Sequence, residues 1–250
     1  MRGIIKQILY ASRRDSLFFG TTFLIICCTA LSSFLGSNAL VEAQSMKIVY
    51  TAGVSRITLM LGFIIFIMFY IKRLFDNHEI EVILAHPISR MKVLFGLTIG
   101  FALILSFLVL PVFVILLFMG AGFKNALVWI LSIYAEGLIM LSFTTCVALI
   151  IKSVVHGLFA SMALYFMGRV IGSFVSYIQF DFSFEFTKLT GNILKAISVC
   201  IPRLDLFGKT KWLLYGDYNL STIWLFASQA LVFTAIFVCI AIIDLRKKEF

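Results

Sequence analysis

Two ionisable residues lie deep inside long apolar stretches of this sequence. Glu136 is in an apolar run at 126–151, and Arg169 is in the next run, at 154–178. A charged group within a membrane-spanning helix costs free energy, so it needs a partner and is a candidate for function. Because neighbouring spans run antiparallel, we expect both residues at similar depth and predict that they form an ion pair. The pair would either fix the register of the two helices or contact a transported molecule.

Small residues flank Arg169. Gly168 and Gly172 are four positions apart, so they lie on one face of a helix. A small-xxx-small face of this kind lets another backbone approach closely. The pattern predicts close packing of this helix, and the lining of a cavity is the alternative.

The motifs of nucleotide-binding and hydrolytic enzymes do not occur in the sequence. It has no G-x-x-x-x-G-K-[ST] phosphate loop, no H-E-x-x-H or G-x-S-x-G motif and no paired-cysteine zinc motif. A helix would separate His78 from His86 by about 12 Å, too far for one metal ion to bind both. The five cysteines lie in or beside apolar runs, so we interpret them as small apolar side chains. We therefore predict no catalytic, cofactor or metal site in this chain.

The composition is that of an integral membrane protein. Of the 250 residues, 62% are hydrophobic and 13% are charged, and the mean hydropathy is +1.07. Soluble domains are about half apolar and about a quarter charged. The alternating pattern of a membrane β-barrel is not found. The sequence therefore predicts an all-α, polytopic membrane protein.

Six apolar stretches approach or exceed the length of about 20 residues that a spanning helix needs. They lie at 17–36, 54–72, 92–119, 126–151, 154–178 and 222–243. The longest connection, 179–221, is predicted to be extracytoplasmic and to contain short helices. Because no repeat or separate soluble domain is found, residues 1–250 are predicted to form a single transmembrane domain.

Lysine and arginine residues near the ends of the spans predict the orientation. Twelve lie on the side that holds both termini and eight on the opposite side, where Arg56 is counted near the outer end of the second span. Since cytoplasmic loops carry the excess of positive charge, we expect a multi-pass protein of the plasma (inner) membrane with both termini cytoplasmic. Contact with anionic lipid headgroups explains the net charge of +9, and no nucleic-acid partner is expected.

The loop between the second and third spans contains a short amphipathic segment, "DNHEIEVILAHPISRMK", at 76–92. Asp76 and Glu79 predict the start of a helix, because acidic residues stabilise its first turn. Apolar residues then follow at helical spacing and form one face, which consists of Ile80, Ile83 and Leu84. Glu79 and Glu81 are predicted to lie outside this apolar face.

This predicted helix is too short to span a membrane. Pro87 disfavours helical backbone at His86, so the helix has about two to three turns. It is either a membrane-surface helix that eases a tight reversal or a helix presented to a cytoplasmic partner. The residue pattern by itself leaves both interpretations open.

The loop resembles that of a known family. The stretch "FDNHEIEVILAHPISRMKVLFG" is similar to the corresponding loop in permeases of type-2 ABC transporters. There, an acidic segment leads into leucine-x-x-proline-[ILV]-serine-arginine and then a basic, glycine-containing start of the third span. The matching residues are Glu79, Glu81, Leu84, Pro87, Ile88, Ser89, Arg90, Lys92 and Gly96. "IPRLDLFGKT" at 201–210 resembles the proline–leucine–aspartate–leucine–phenylalanine stretch before the family's last span. The similarity is closest to the branch that contains the permease for nitrous-oxide reductase maturation.

This resemblance implies a function and a set of partners. Helix 76–86 would be a coupling helix seated in a groove of a separate cytoplasmic ABC ATPase, which would bind and hydrolyse ATP, so this chain would not be an enzyme. The implied coupling residues are Asp76, Glu79, Ile80, Glu81, Ile83, Leu84, His86 and Pro87. The permease would form a homodimer with a second copy or a heterodimer with a related permease.

The family also has an amphipathic helix before its first span. "RGIIKQILYASRR" fits this feature and should lie in the membrane interface. Its apolar face consists of Ile4, Ile5, Ile8 and Leu9.

Three other functions compete with ATP-driven transport. An intramembrane enzyme needs several acids, histidines or serine–lysine pairs at one depth, and the spans offer Glu136 with a predicted counter-ion. A secondary carrier or channel is expected to have inverted repeats and broken helices, and no matching halves are found. A membrane assembly factor without transport activity is the third alternative.

Overall fold

Helices make up almost all of the structure. The computed structural model describes residues 2–14, 16–37, 42–77, 89–151, 153–180 and 201–247, and within these ranges no β-strand occurs. The helices are α1 (Arg2–Arg14), α2 (Ser16–Ser37), α3 (Ala43–Asp76), α4 (Arg90–Phe118), α5 (Phe123–Ile150), α6 (Val154–Phe180), α7 (Thr210–Tyr215) and α8 (Leu220–Lys247). All except α1 and α7 are long and apolar enough to cross a membrane. This confirms the prediction of an all-α protein with six candidate spans.

The second span differs from its prediction in length. The predicted range, 54–72, is contained in α3, which has 34 residues and begins at Ala43. At about 1.5 Å per residue, α3 is about 51 Å long and exceeds the hydrocarbon core of about 30 Å. Arg56 therefore lies well inside a helix.

The turn from α4 to α5 is set by a glycine with a left-handed backbone. Gly120 has φ 87°, a conformation that costs a residue with a Cβ atom free energy. Its amide donates to Leu117 O at 3.0 Å, and the amide of Ala121 donates to Leu116 O at 3.1 Å. This pair of bonds satisfies the last carbonyls of α4 and reverses the chain.

The helices α3 and α5 are the most enclosed elements of the bundle. In their most apolar windows 61% and 56% of residues are buried, compared with 18% for α2 and 17% for α8. Aromatic rings join α3 to α4, since Phe66 and Tyr70 both meet Phe101 edge to face, with ring centroids 6.2 and 5.4 Å apart. Charged groups on the inner faces of α3 and α5 are therefore surrounded by protein.

The amphipathic helix α1 packs on α4. Ile8 is buried, and a Cβ atom added at Gly100 would lie 2.5 Å from its Cδ1 atom, so the glycine makes room for it. On the other face of α1, Lys6 and Tyr10 are exposed. The position of α1 in a membrane interface stays a prediction.

The described part of the connection between α6 and α8 folds back against the bundle. Residues 201–210, which we call the inserted segment, contain a 3-10 turn at Leu204–Leu206 and lead into α7. Leu204 and Phe207 in the segment, and Trp212 and Leu213 in α7, are buried. The apolar stretch "GNILKAISVCI" at 191–201 belongs to the connection in which short helices are predicted, and it lies almost entirely outside the described residues.

Candidate functional site

A buried ion pair joins the two central helices. Arg56 on α3 donates from Nε and Nη2 to Glu136 Oε2 on α5, at 2.9 and 2.7 Å. The arginine side chain is 6% exposed and the glutamate side chain 0%. Breaking a buried pair by removing one partner costs about 3–5 kcal/mol, because the other charge is left uncompensated. The pair therefore fixes α3 against α5.

The same arginine holds the inserted segment. Arg56 Nη2 donates to Phe207 O at 2.6 Å, and Nη1 donates to Gly208 O at 3.0 Å. Trp129 Nε1 also donates to Gly208 O, at 3.1 Å, and the Gly208 amide donates to Ser132 Oγ at 2.6 Å. Non-helical backbone at membrane depth is stable only where protein or a polar cavity satisfies it. Side chains of α3 and α5 supply those bonds here.

The predicted pairing of Glu136 with Arg169 is wrong. Arg169 instead donates from Nη1 to the carbonyl oxygens of Leu204 and Phe207. The cause is that Arg56, which we had counted near the end of its span, faces the carboxylate from the middle of α3. The carbonyls of the inserted segment then provide the acceptors that Arg169 needs.

Glu136 and Arg169 nevertheless lie at similar distances from the turn that joins α5 to α6. Glu136 is about 21 Å from the end of α5 at Ile150, and Arg169 is about 23 Å from the start of α6 at Val154. Both residues belong to one network, because Arg56 and Arg169 share the carbonyl of Phe207 as acceptor.

The glycines beside Arg169 pack closely against the inserted segment. A Cβ atom at Gly168 would lie 2.7 Å from Pro202 O and 2.9 Å from Leu204 Cγ. A Cβ atom at Gly172 would overlap the Asp205 carboxylate. The predicted close approach is therefore present, and the neighbour is this connection rather than another spanning helix.

A cleft of about 420 Å³ opens beside the network, between α3, α6 and the inserted segment. It is lined by Gly53, Arg56, Ile57, Tyr165, Phe166, Arg169, Asp205, Phe207, Gly208, Lys209 and Thr210. Its volume is within the range of about 300–1,000 Å³ that is typical of small-molecule sites.

Positive charge predominates in the cleft. Asp205 is paired with Arg203 at 3.0 Å, and Arg56 is neutralised by its carboxylate partner. In the described part of the chain, no carboxylate pairs with Arg169 or with the exposed Lys209. Among the described residues, these two side chains give the cleft an excess of two positive charges.

Two buried oxygen atoms of the site have no hydrogen-bond partner among the described residues. They are Glu136 Oε1 and the hydroxyl of Tyr165. An unsatisfied buried polar group costs about 1–3 kcal/mol, so native proteins contain few of them, and each calls for an explanation. Glu136 Oε1 can therefore accept a further hydrogen bond, and the Tyr165 hydroxyl can donate or accept one.

The predicted coupling residues are mostly outside the described part of the chain. The prediction that Asp76 starts the coupling helix is wrong, because α3 continues through it and ends there. Asp76 is exposed and forms an ion pair with Lys72, one turn earlier in α3, at 2.8 Å. The remaining coupling residues, Glu79, Ile80, Glu81, Ile83, Leu84, His86 and Pro87, fall at 78–88, outside the described residues.

Arg56 belongs to the site but is not among the site residues predicted from the sequence. A signal was present in the sequence, because apolar or small residues stand at helical spacing on both sides of it: Ile48, Ala52, Ser55 and Leu59. All four are buried in the structure. That pattern extends the helix well before residue 54 and puts Arg56 on its buried face. Nothing in the local pattern indicates that Phe207 and Gly208 meet it.

Within the described residues, no group of three or more histidine, cysteine, aspartate or glutamate side chains is placed to hold a metal ion. The sequence matches no protein-family model and no curated protein.

Proposed function

We propose that this protein is the permease subunit of an ABC transporter of the type-2 class, driven by a separate cytoplasmic ATPase. One observation carries the proposal. The helix α3 runs without interruption from Arg56, in the buried network, to Asp76, where the predicted coupling segment begins. The two residues are about 30 Å apart along the helix, so α3 is a stiff lever between that segment and the network.

A movement of α3 would act on the inserted segment through Arg56. Arg56 holds the carbonyls of Phe207 and Gly208 at 2.6 and 3.0 Å. A contact with a donor–acceptor distance of about 3.6 Å is no longer a hydrogen bond. A small axial or lateral shift of α3 would therefore release the inserted segment and change the shape of the cleft beside it.

The partners of the proposed permease follow from the sequence. The resemblance of 76–92 to the family's coupling loop supports a cytoplasmic ABC ATPase that binds ATP in its own chain. The same resemblance supports a second permease copy or a related permease as the other half. The excess of twelve over eight basic residues supports a position in the plasma (inner) membrane with both termini cytoplasmic.

The proposal is tested by isolating the protein with its ATPase. We expect a soluble ATPase to co-purify from the native membrane, and Glu81→Lys or Ile83→Asp to remove it. Asp217→Lys is the matched control, because Asp217 is an exposed acid in the connection before α8. Loss of the ATPase in the control, or retention in both loop variants, contradicts the proposal.

A secondary carrier is the second candidate, because the buried Arg56–Glu136 pair beside a cleft is also typical of ion-coupled transport. Reconstituted protein distinguishes the two functions. Transport by the chain alone, driven by an ion gradient without any ATPase, would establish the carrier and rule out the permease. An assembly factor would show neither transport nor nucleotide-dependent change.

A further inference from the structure

We infer that the cleft between α3, α6 and the inserted segment binds an anionic amphiphile. The anionic headgroup would contact Arg169 and Lys209, and the apolar chain would lie over Ile57 and Phe166. As a statement about binding, this inference is independent of the transport function. As a statement about cargo, it rests on the proposed function.

The charges of the cleft determine the sign of the charge that a ligand should carry. Arg169 uses only Nη1 for its two bonds to the inserted segment, so Nε and Nη2 have no partner among the described residues. The ammonium group of Lys209 is exposed and likewise has no described hydrogen bond or ion pair. Two such cations beside an apolar bundle create a strong positive potential that attracts an anion. A phosphate or carboxylate would receive charge-assisted hydrogen bonds from both.

The apolar walls of the cleft indicate that the uncharged part of the ligand is apolar. Ile57 on α3 and Phe166 on α6 are 46% and 49% exposed, and both line the cleft. These apolar side chains line the same cleft as the two cations and are exposed on the surface of their helices. A ligand with an apolar chain next to its charged group therefore fits this surface better than a free inorganic ion does.

The same chemistry has two possible sources, an anionic phospholipid of the bilayer or a soluble amphiphilic anion. Protein purified in mild detergent distinguishes them by native mass spectrometry. A phospholipid that remains bound to the wild-type protein and is lost from Lys209→Gln identifies a resident lipid. Binding of added lysophosphatidic acid without any retained lipid identifies a soluble ligand. Both outcomes support the inference.

The decisive measurement compares two lysolipids with the same acyl chain on delipidated protein. We expect lysophosphatidic acid to bind about tenfold more tightly than lysophosphatidylcholine, because its phosphate carries a net negative charge, whereas the phosphate of lysophosphatidylcholine is a monoanion balanced by the choline cation. Lys209→Gln should remove most of this preference, and Lys209→Arg should retain it. Lys211→Gln is the matched control: it removes the same charge from an exposed lysine that does not line the cleft.

Three results would overturn the inference. Equal affinity for both lysolipids excludes recognition of a headgroup with a net negative charge, which the inference requires. If Lys209→Gln and Lys211→Gln lose the preference for lysophosphatidic acid equally, the preference arises from the general positive charge of the surface. If inorganic phosphate competes for the site as well as lysophosphatidic acid does, the apolar wall does not contribute to binding. Because the assay contains no ATPase, it can fail while the permease proposal stands, and it can succeed if no ATPase partner exists.

Discussion

Arg56 and Arg169, on different helices, donate hydrogen bonds to the same oxygen atom, the carbonyl of Phe207. Two like charges that converge on one acceptor repel each other, and in a bundle of low dielectric constant the repulsion is substantial. The carboxylate of Glu136 neutralises one of them at 2.7 Å. Glu136 therefore permits both arginines to hold the inserted segment.

Removing the charge of Glu136 should destabilise the protein strongly. In Glu136→Gln the shape is kept but Arg56 loses its counter-ion, and we expect a cost of about 3–5 kcal/mol. Thermal unfolding in detergent measures it. Asp76→Asn is the matched control, because it breaks an exposed pair on the same helix, in which Lys72 and Asp76 are 37% and 57% exposed, and such pairs contribute about 0–1 kcal/mol. Equal stability losses in the two variants would contradict the assignment.

Replacing Arg169 should release the inserted segment without unfolding the bundle. Arg169→Met leaves the carbonyls of Leu204 and Phe207 without this donor, at a cost of about 2–3 kcal/mol for hydrogen bonds from a charged group. Because the segment contains Lys209, faster cleavage there by trypsin reports its release. Arg169→Lys keeps a charge but only a point donor, so its cleavage rate should be intermediate.

A surface cation provides the comparison for this experiment. Lys124 is exposed on α5, and Lys124→Met should leave the cleavage at Lys209 unchanged. If Arg169→Met is cleaved at the wild-type rate, the two carbonyl contacts do not hold the segment in place.

The sequence predicts the parts of this structure that depend on local pattern. Glu136 and Arg169 stand out because ionisable groups within apolar runs are rare, and their similar depth follows from helix geometry. Arg56 was not predicted as a site residue because the hydropathy of the sequence is lower before residue 54, so the predicted span starts there. The buried face of α3 nevertheless extends back to Ile48.

The contacts of the site could not be predicted from local pattern. Arg56 is separated by 80 residues from Glu136 and by 152 residues from Gly208. Neither periodicity nor composition indicates which carbonyls a connection brings into the bundle. The stretch "IPRLDLFGKT" resembled a family motif, but the role of its backbone as an acceptor for two arginines became visible only in three dimensions.

Gly208 should not tolerate a side chain. Its φ of 53° is left-handed, which costs a residue with a Cβ atom about 1–2 kcal/mol. The added Cβ atom would also lie 2.9 Å from Arg56 Cζ and 3.0 Å from Ile133 Cδ1. Gly208→Ala should therefore lower the unfolding temperature and speed tryptic cleavage in the inserted segment.

Gly53→Ala is the control for this substitution. Gly53 also lines the cleft, but it is helical, and a Cβ atom there meets no other atom within 4 Å. Alanine should raise stability by about 1 kcal/mol or less through helix propensity. Equal effects of the two substitutions would show that the left-handed turn and its contact with Arg56 are unimportant.

The docking of α1 on α4 can be disturbed at a single glycine. Leucine at Gly100 would occupy the space of Ile8, whose burial contributes about 1.5–3 kcal/mol, so Gly100→Leu should detach α1 while the bundle stays folded. Hydrogen exchange of the amides of α1 measures this, and we expect it to become faster. Gly20→Leu is the control, because a Cβ atom at Gly20 meets nothing within 4 Å. Unchanged exchange in Gly100→Leu would mean that α1 is held by something other than α4, such as the membrane surface.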